Sequence, residues 1–173
     1  MINELMWPGS TASSDDEWIE LRNLTGSPVD ISGWQITKLV TTEQLMLTIS
    51  SGSIPANGYF LISKFGSNDP NSALNVVPDL ISNNVGLRNS NLQIKLYSGA
   101  INPANLVDTA DDGTGVPLAG DDGGLQGPRK SMARQSPPGD GTLGGNWFTS
   151  TINSTAYWDT EDGNYGTPGG PNG

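Results

Sequence analysis

Short segments in which apolar and polar residues alternate recur along the chain. A period of two places successive side chains on opposite faces of a β-strand. Residues 17–22 would direct Ile19 and Leu21 to one face, and residues 92–97 repeat the same alternation. Both segments are therefore predicted to be strands with one buried face and one polar face.

Other segments of strand length are separated by residues that favour turns. Apolar runs at 45–49 and 59–63 flank a Ser-Gly-Ser sequence and the sequence Pro-Ala-Asn-Gly at 55–58, which are both turn chemistry. Further strands are predicted at residues 1–7, 35–37, 104–108 and 146–149. Seven or more short strands without a helical period predict an all-β fold in which two antiparallel sheets pack as a sandwich.

Composition and length agree with this prediction. The 173 residues include 23 Gly and 12 Pro, which disfavour long helices, and they fit a single domain spanning residues 1–173. Two polar stretches, 66–84 and 110–130, are predicted to be long loop insertions, and the second is acidic. Residues 163–173 are rich in Gly and Pro, so they are expected either to pack as an extended edge or to continue as a linker.

The charge balance bears on partners and location. A net charge of −10 repels phosphate backbones, so no nucleic-acid partner is expected. No apolar run is long enough to span a membrane. The sequence begins with a predicted strand and shows no signal peptide, so export would require a signal that was removed or lies elsewhere on a longer parent chain.

Several kinds of catalytic chemistry are excluded by residue type. The chain contains no His and no Cys. It therefore cannot form a Ser-His-Asp triad, a Cys-His pair or an ordinary zinc site. Paired carboxylates, as used by glycosidases, are the remaining option, so a carboxylate-based hydrolase is kept as a remote alternative. The sequence predicts that the protein is not an enzyme.

A set of short motifs extends over nearly the whole chain. They are INELMW at 2–7, DEWIELRN at 16–23, VDISGW at 29–34, IPANGYFLIS at 54–63, GLRNS at 86–90, LVD at 106–108, SMAR at 131–134, GDGT at 139–142, NWFTS at 146–150 and GTPGGPN at 166–172. In kind and in order, these motifs resemble those of the lamin tail domain family.

The resemblance implies an immunoglobulin-like β-sandwich, from which the long acidic insertion at 110–130 departs because it is longer than the family's usual turn. The closing GTPGGPN motif is similar to the bacterial and archaeal branch, whose members sit in exported multidomain proteins and act as adhesive or tethering modules. It therefore implies a non-catalytic binding module at an extracellular or cell-surface location. A neighbouring domain of a larger parent chain and a protein or cell-surface glycan are the partners it implies.

Glu4 is a candidate for a buried charge. If β-alternation holds, Glu4 shares a strand face with Ile2 and Met6, and a buried carboxylate needs a partner because desolvation costs several kcal/mol. Arg134, within the SMAR motif, is predicted to pair with Glu4, with Glu20 or with both, as a structural ion-pair network. The alternative is that these side chains are solvated at the ends of strands.

The acidic loops allow a second function, a calcium-dependent carbohydrate- or protein-binding domain. Calcium prefers six to eight oxygen ligands from carboxylates and carbonyls in such loops. The EF-hand spacing fails, because Ala110 and Ala119 stand where ligands are required after Asp108. Ordinary solvated turns are the alternative. The candidate metal ligands are Asp108, Asp111, Asp112, Asp121 and Asp122.

Three aromatic residues are candidates for a binding surface. Trp7 precedes Pro8, and Tyr157 stands beside Trp158, so these rings could form an exposed platform for a glycan or a peptide. The alternative is that they pack as a second layer against the sheets.

Overall fold

The computed structural model describes residues 1–124, 127–159 and 163–173. Within these residues the chain forms short strands and two 3₁₀ turns, at Pro103–Asn105 and Gly144–Asn146, and it has no helix that could cross a membrane. The strands are β1 (Ile2–Met6), β2 (Trp18–Arg22), β3 (Val29–Asp30), β4 (Gln35–Leu39), β5 (Glu43–Thr48), β6 (Ser53–Ile54), β7 (Tyr59–Ser63), β8 (Leu80–Ile81), β9 (Ile94–Tyr97), β10 (Leu106–Ala110), β11 (Arg129–Lys130), β12 (Met132–Arg134), β13 (Trp147–Thr149) and β14 (Asn164–Tyr165).

Two main sheets organise the described residues. One has six strands in the order β13-β12-β1-β2-β7-β8, and the other has four in the order β10-β9-β4-β5. All their pairings are antiparallel except that between β7 and β8. Two small sheets, β3-β6 and β11-β14, lie outside them. The prediction of an all-β sandwich is confirmed.

The main hydrophobic core contains residues from both sheets. Ile19 and Leu21 contribute from the six-stranded sheet, and Ile36, Ile94 and Leu96 contribute from the four-stranded sheet. All five side chains are fully buried. The alternation read from β2 and β9 therefore predicted the inward-facing residues of both strands correctly.

A second hydrophobic cluster covers the opposite face of the six-stranded sheet. Met6, Trp18 and Leu61 from the strands pack there with Leu74 and Trp158. The rings of Trp18 and Trp158 lie with their centroids 6.3 Å apart. Leu74 and Trp158 also pair as an isolated β-bridge. The central strands of this sheet are consequently buried on both faces, which alternation alone does not reveal.

A β-bulge in β1 changes which residues share a face. The register between β1 and β2 shifts between Ile2 and Glu4. Ile2 consequently lies in the main core, whereas Met6 lies in the second cluster on the other face. The expectation that Glu4 shares a face with Ile2 is wrong, because a bulge inserts one residue and breaks the period of two.

The predicted loop insertions contain ordered structure. Residues 66–84 include β8 and the bridge at Leu74, and residues 110–130 include β11 and a bridge between Asp121 and Lys130. Residues 125 and 126 of the second insertion lie outside the described residues. In the tail, β14 pairs with β11, so the structure favours the extended-edge alternative for this segment.

Candidate functional site

The carboxylate of Glu4 is fully buried in β1 and binds several donors of the protein. Ser131 donates its hydroxyl to Oε1. Thr167 donates its backbone N–H to Oε1 at 3.1 Å and its hydroxyl to Oε2 at 2.7 Å. Both oxygens of Glu4 are therefore occupied by groups from residues far along the chain.

Glu20 lies directly opposite Glu4 on β2 and is also fully buried. Asn3 donates its side-chain amide to Oε1 at 2.6 Å, and Gly169 donates its backbone N–H to Oε2 at 2.6 Å. Directly opposed residues of an antiparallel pair point to the same face. The two carboxylates therefore lie side by side beneath the tail of the chain.

The last residues close over this pair, and we call the two carboxylates together with residues 166–172 the tail clasp. Asn172 accepts a hydrogen bond from the Asn3 side chain at 2.9 Å. It also donates to the backbone oxygens of Asn3 and Arg134, at 3.1 and 2.9 Å. The tail clasp thus joins the end of the chain to β1, β2 and β12.

The electrostatics of the tail clasp favour protonated carboxyl groups. Burial raises the pKa of Glu4, against hydrogen bonds from Ser131 and Thr167 that lower it. Burial is also the main cause that raises the pKa of Glu20 well above its usual value, and the adjacent charge of Glu4 adds to the effect. A general acid or base must reach the substrate within hydrogen-bond distance, directly or through one water. The carboxyl groups of the tail clasp are enclosed and already bind protein donors, so their contacts join the tail to the sheet.

The predicted ion pair of Arg134 with Glu4 or Glu20 is wrong. Arg134 is buried, but its guanidinium pairs with Asp108 at 2.5 Å and lies 4.3 Å from the centre of the Trp147 ring. Glu4 and Glu20 instead accept hydrogen bonds from uncharged groups of the tail, among them the backbone N–H groups of Thr167 and Gly169. These groups lie on the face of the sheet opposite to the one on which the Arg134 guanidinium lies.

The predicted metal ligands are not brought together. Within the described ranges, no three or more acidic side chains are placed to hold a metal ion. Four of the five predicted ligands accept backbone N–H groups from nearby loop residues, because short acidic side chains readily close such turns. These pairs are Asp111 with Leu118, Asp112 with Thr114, Asp121 with Gly123 and Asp122 with Gly124. Asp108 is held by Arg134.

The predicted aromatic platform is also wrong. Trp7 is buried and donates its indole N–H to the oxygen of Ala119 at 2.9 Å. Trp158 is fully buried in the second cluster, and Tyr157 is partly buried against that cluster. Tyr157 and Trp158 follow the alternative of packing as a second layer, whereas Trp7 lies in the main core between the two sheets.

Two further buried carboxyl groups lie at the start of β2 and were not predicted. Asp16 accepts the backbone N–H of Ala73 at 2.8 Å, and Glu17 accepts that of Leu87 at 3.1 Å. Burial raises the pKa of Asp16, and it raises that of Glu17 from 4.5 to about 7. A run of three acids usually indicates a solvated turn, so the sequence carries no signal for their burial.

Replacing Glu17 by Gln is expected to make stability less dependent on pH. Because the folded-state pKa of Glu17 is raised, its contribution to stability is full below pH 4.5 and is lost as pH rises through about 7. Each pKa unit corresponds to about 1.4 kcal/mol. Between pH 5 and pH 8 the free energy of unfolding of the variant should therefore rise by up to about 3 kcal/mol relative to that of the parent protein. Thermal melts at several pH values measure the difference.

The control for this experiment is Asp30→Asn on the surface. Hydrogen bonds from Ser32 lower the pKa of Asp30, so its replacement should change the pH dependence in the opposite direction. Parallel melting curves for Glu17→Gln and the parent protein at all pH values would contradict the prediction.

One edge of the four-stranded sheet is open to a partner. Among the residues that the structure describes, β5 pairs with β4 alone. Leu39 donates its backbone N–H to the backbone oxygen of Gln93, on the side of β4 that faces away from β5. Leu39 and its partner Glu43 on β5 are therefore not hydrogen-bonded to each other, and the backbone N–H and C=O groups of Glu43 point away from β4. By the same alternation Leu45, two residues later, directs its backbone groups outward, and its side chain is 50% exposed.

Comparison with known proteins gives one match. A family model described as Lamin Tail Domain matches residues 1–114, which is more than half of the 173 residues. No curated protein and no solved structure matches the chain. The matched residues contain every strand of the four-stranded sheet and four of the six strands of the larger sheet, β1, β2, β7 and β8.

Proposed function

Since the chain belongs to the lamin tail domain family, whose immunoglobulin-like fold is non-enzymatic, we propose that it is a non-catalytic binding or tethering module. The module would belong to an exported or cell-surface multidomain protein and act outside the cell. Residues 1–173 would form it as one folding unit.

One observation carries the proposal, the enclosure of the strongly perturbed carboxyl groups. Paired carboxylates were the remaining catalytic option, and Glu4 and Glu20 form a directly opposed pair among the described residues. Both are fully buried and bound by the tail. This arrangement stabilises the fold and leaves the outer surfaces free for contacts with a partner.

The open edge of β5 supports a polypeptide partner. Edge strands present unpaired N–H and C=O groups that an extended peptide can complete, with main-chain hydrogen bonds giving affinity. A second copy of the chain is disfavoured as that partner, because two molecules of net charge −10 repel each other. A neutral or basic extended segment of a surface protein fits this edge better.

The proposal is tested by attaching residues 1–173 to a fluorescent reporter and measuring its retention on envelopes of the cells that produce the protein. The fusion should be retained, and the reporter alone should be washed away. Leu45→Pro should reduce retention at least tenfold, because it removes an outward N–H without removing a bond to β4.

Leu45→Lys is the matched control, since it changes the exposed side chain but keeps the backbone N–H. Thermal melts of both variants would show that the fold is intact. Loss of retention in Leu45→Lys alone would contradict pairing through the backbone, and no retention of the parent fusion would contradict tethering. Turnover of glycosidic or phosphodiester substrates that disappears in Glu4→Gln would favour a hydrolase instead.

A further inference from the structure

The two carboxyl groups of the tail clasp receive different sets of hydrogen bonds. Glu4 accepts the hydroxyl of Ser131 and both the hydroxyl and the backbone N–H of Thr167. Glu20 accepts the side-chain amide of Asn3 and the backbone N–H of Gly169, and no hydroxyl among the described residues donates to it. Hydrogen bonds to a carboxylate favour its ionised form. Glu4 is therefore the member of the pair that is better prepared to carry a negative charge.

A second charge on Glu20 would lie directly opposite Glu4 in an enclosed site. The two residues are partners in the register of β1 with β2, and the Cβ atoms of directly opposed residues lie about 5 Å apart. Like charges at such a separation disfavour ionisation of both groups, and one of the pair then keeps its proton. Burial and the neighbouring charge of Glu4 both raise the pKa of Glu20, which identifies Glu20 as that group.

The segments that cover the pair bring no charge to it. Residues 166–172 contain no ionisable side chain, and neither do residues 73–76, whose last member, Val76, lies beside Gly169. On β12, Arg134 directs its guanidinium to Asp108 and not to the tail clasp. The protein thus encloses the pair with neutral groups.

Other ionisable side chains lie further along the same face. Burial raises the pKa of Tyr59 on β7; the charge of Arg22 on β2 lowers it, and the charges of Glu20, Tyr157 and Glu4 raise it. The Arg22 guanidinium lies 5.5 Å from the centre of the Tyr59 ring. Among the described residues no cation forms a salt bridge with either carboxyl group of the tail clasp. A second negative charge would therefore remain uncompensated.

We propose that Glu20 carries a single proton that keeps the tail clasp closed, and that loss of this proton releases residues 166–172 from β1 and β2 while the rest of the fold stays intact. Release would break the hydrogen bond from Gly169 and the bond of 3.3 Å that the Trp158 indole N–H donates to the backbone oxygen of Gly166. This device goes beyond the proposed tethering role, because it requires no partner.

Opening of the tail clasp should become more favourable as pH rises. In the open state Glu20 is in water and has an ordinary pKa of 4.5, whereas burial and the charge of Glu4 raise its pKa well above that value in the closed state. The stabilisation of the closed state is therefore full below pH 4.5 and is lost as pH rises toward the raised pKa. Within that window the ratio of open to closed molecules should increase about tenfold per pH unit, because opening releases one proton.

Hydrogen exchange of single amides, followed by NMR, measures this opening. The N–H groups of Thr167 and Gly169 bind the two carboxyl groups, so both amides exchange when the tail clasp opens. Their protection, taken relative to the intrinsic exchange rate at each pH, should fall about tenfold per pH unit between pH 6 and pH 8. Ile36 is buried in β4, which is paired on both sides, and its amide should stay more protected at every pH.

Two substitutions identify the group that releases the proton. Glu20→Gln should make the protection of Thr167 nearly independent of pH over this range. Glu17→Gln is the matched control, since it also removes a buried carboxyl group with a raised pKa, but one that binds Leu87 outside the tail clasp. The tenfold dependence should remain in that variant. The parent protein alone still tests the proposal if Glu20→Gln does not fold.

Four results would overturn the proposal. Protection of Thr167 and Gly169 that does not change with pH would mean that no proton controls the tail clasp. Protection equal to that of Ile36 would mean that the tail leaves only when the whole domain unfolds. A fall of about a hundredfold per pH unit would mean that two protons are released. An unchanged dependence in Glu20→Gln would place the proton elsewhere. Retention on cells, which tests tethering, does not affect any of these results.

Discussion

A chain that ends at residue 114, where the family match stops, is expected to be unfolded under conditions in which the 173-residue chain is native. Such a chain lacks β12 and β13, so the outer edge of β1 has no partner. It also loses Met132 and Trp147 from the main core and Trp158 from the second cluster. Small domains are stable by only about 5–15 kcal/mol, and removal of one large core side chain costs about 3–5 kcal/mol.

Buried polar groups add to this loss. Without residues 115–173, Glu4 loses the donors on Ser131 and Thr167, Glu20 loses the N–H of Gly169, and Asp108 loses its ion pair. Each unsatisfied buried group costs about 1–3 kcal/mol or exposes its surroundings to water. The part of the chain that the family model describes is therefore not expected to form a stable domain alone.

Circular dichroism and tryptophan emission of the 1–114 chain measure this result. The matched control is a mixture of chains 1–114 and 115–173, which should recover native signal at high concentration because the missing strands are supplied in trans. A cooperative thermal transition of the 1–114 chain alone would contradict the expectation. It would also contradict the proposal that residues 1–173 form one folding unit.

The second large effect is expected from Arg134→Met, which should lower the free energy of unfolding by about 3–5 kcal/mol. Arg134 is buried, and its loss leaves Asp108 without a counter-charge in a largely enclosed position. Asp108 also accepts the backbone N–H of Ile2 at 2.8 Å, so the disturbance reaches the start of β1. Met retains part of the packing on Trp147, so the ion pair should account for most of the change.

Denaturant unfolding of the parent and variant proteins measures this difference. Arg88→Met is the matched control, because Arg88 is only partly buried and forms no ion pair among the described residues; it should change stability by less than about 1 kcal/mol. The double variant Asp108→Asn with Arg134→Met should recover part of the loss, since it removes the uncompensated charge. A change below about 0.5 kcal/mol in Arg134→Met would contradict a stabilising role for the pair.

Local sequence predicted the strands well, because alternation and turn residues act over a few neighbours. Residues 59–63 were predicted as a strand and form β7 with the same limits. The inward residues of β2 and β9 were also predicted correctly. β9 begins two residues later than predicted, and β10 begins and ends two residues later, because a 3₁₀ turn at Pro103–Asn105 includes the first two residues predicted for β10.

The tail clasp could be predicted only in part. Glu4 was expected to be partly buried on a face shared with Ile2 and Met6; it is fully buried, but on the face of Met6 alone. Its partners, however, come from Ser131 and Thr167, and no local pattern connects such distant residues. Arg134 was predicted to be the partner by charge, yet neutral donors of Thr167 and Gly169 bind Glu4 and Glu20. Charge matching failed because neutral hydrogen-bond donors can occupy the oxygens of a buried carboxyl group, while burial raises its pKa.

The acidic loops illustrate a different limit. Asp next to Gly is compatible both with a calcium loop and with a turn closed by the aspartate side chain. In this chain Asp112 and Asp121 accept N–H groups two residues later, which is the second arrangement. The two possibilities share one composition, and three-dimensional placement alone distinguishes them.

The tail clasp also sets an order of events during synthesis. Asn3 contacts Asn172, and 169 positions separate them along the chain. While the ribosome is still making the protein, β1 can pair with β2, but Glu4 and Glu20 remain in water until residues 166–172 emerge. Contacts between such distant residues form slowly, because a long loop must close before they gain any energy. Until then the face exposes Glu4 and Glu20 beside the apolar side chains of Met6, Trp18 and Leu61, and residues 166–172 enclose the two carboxylates once they are made.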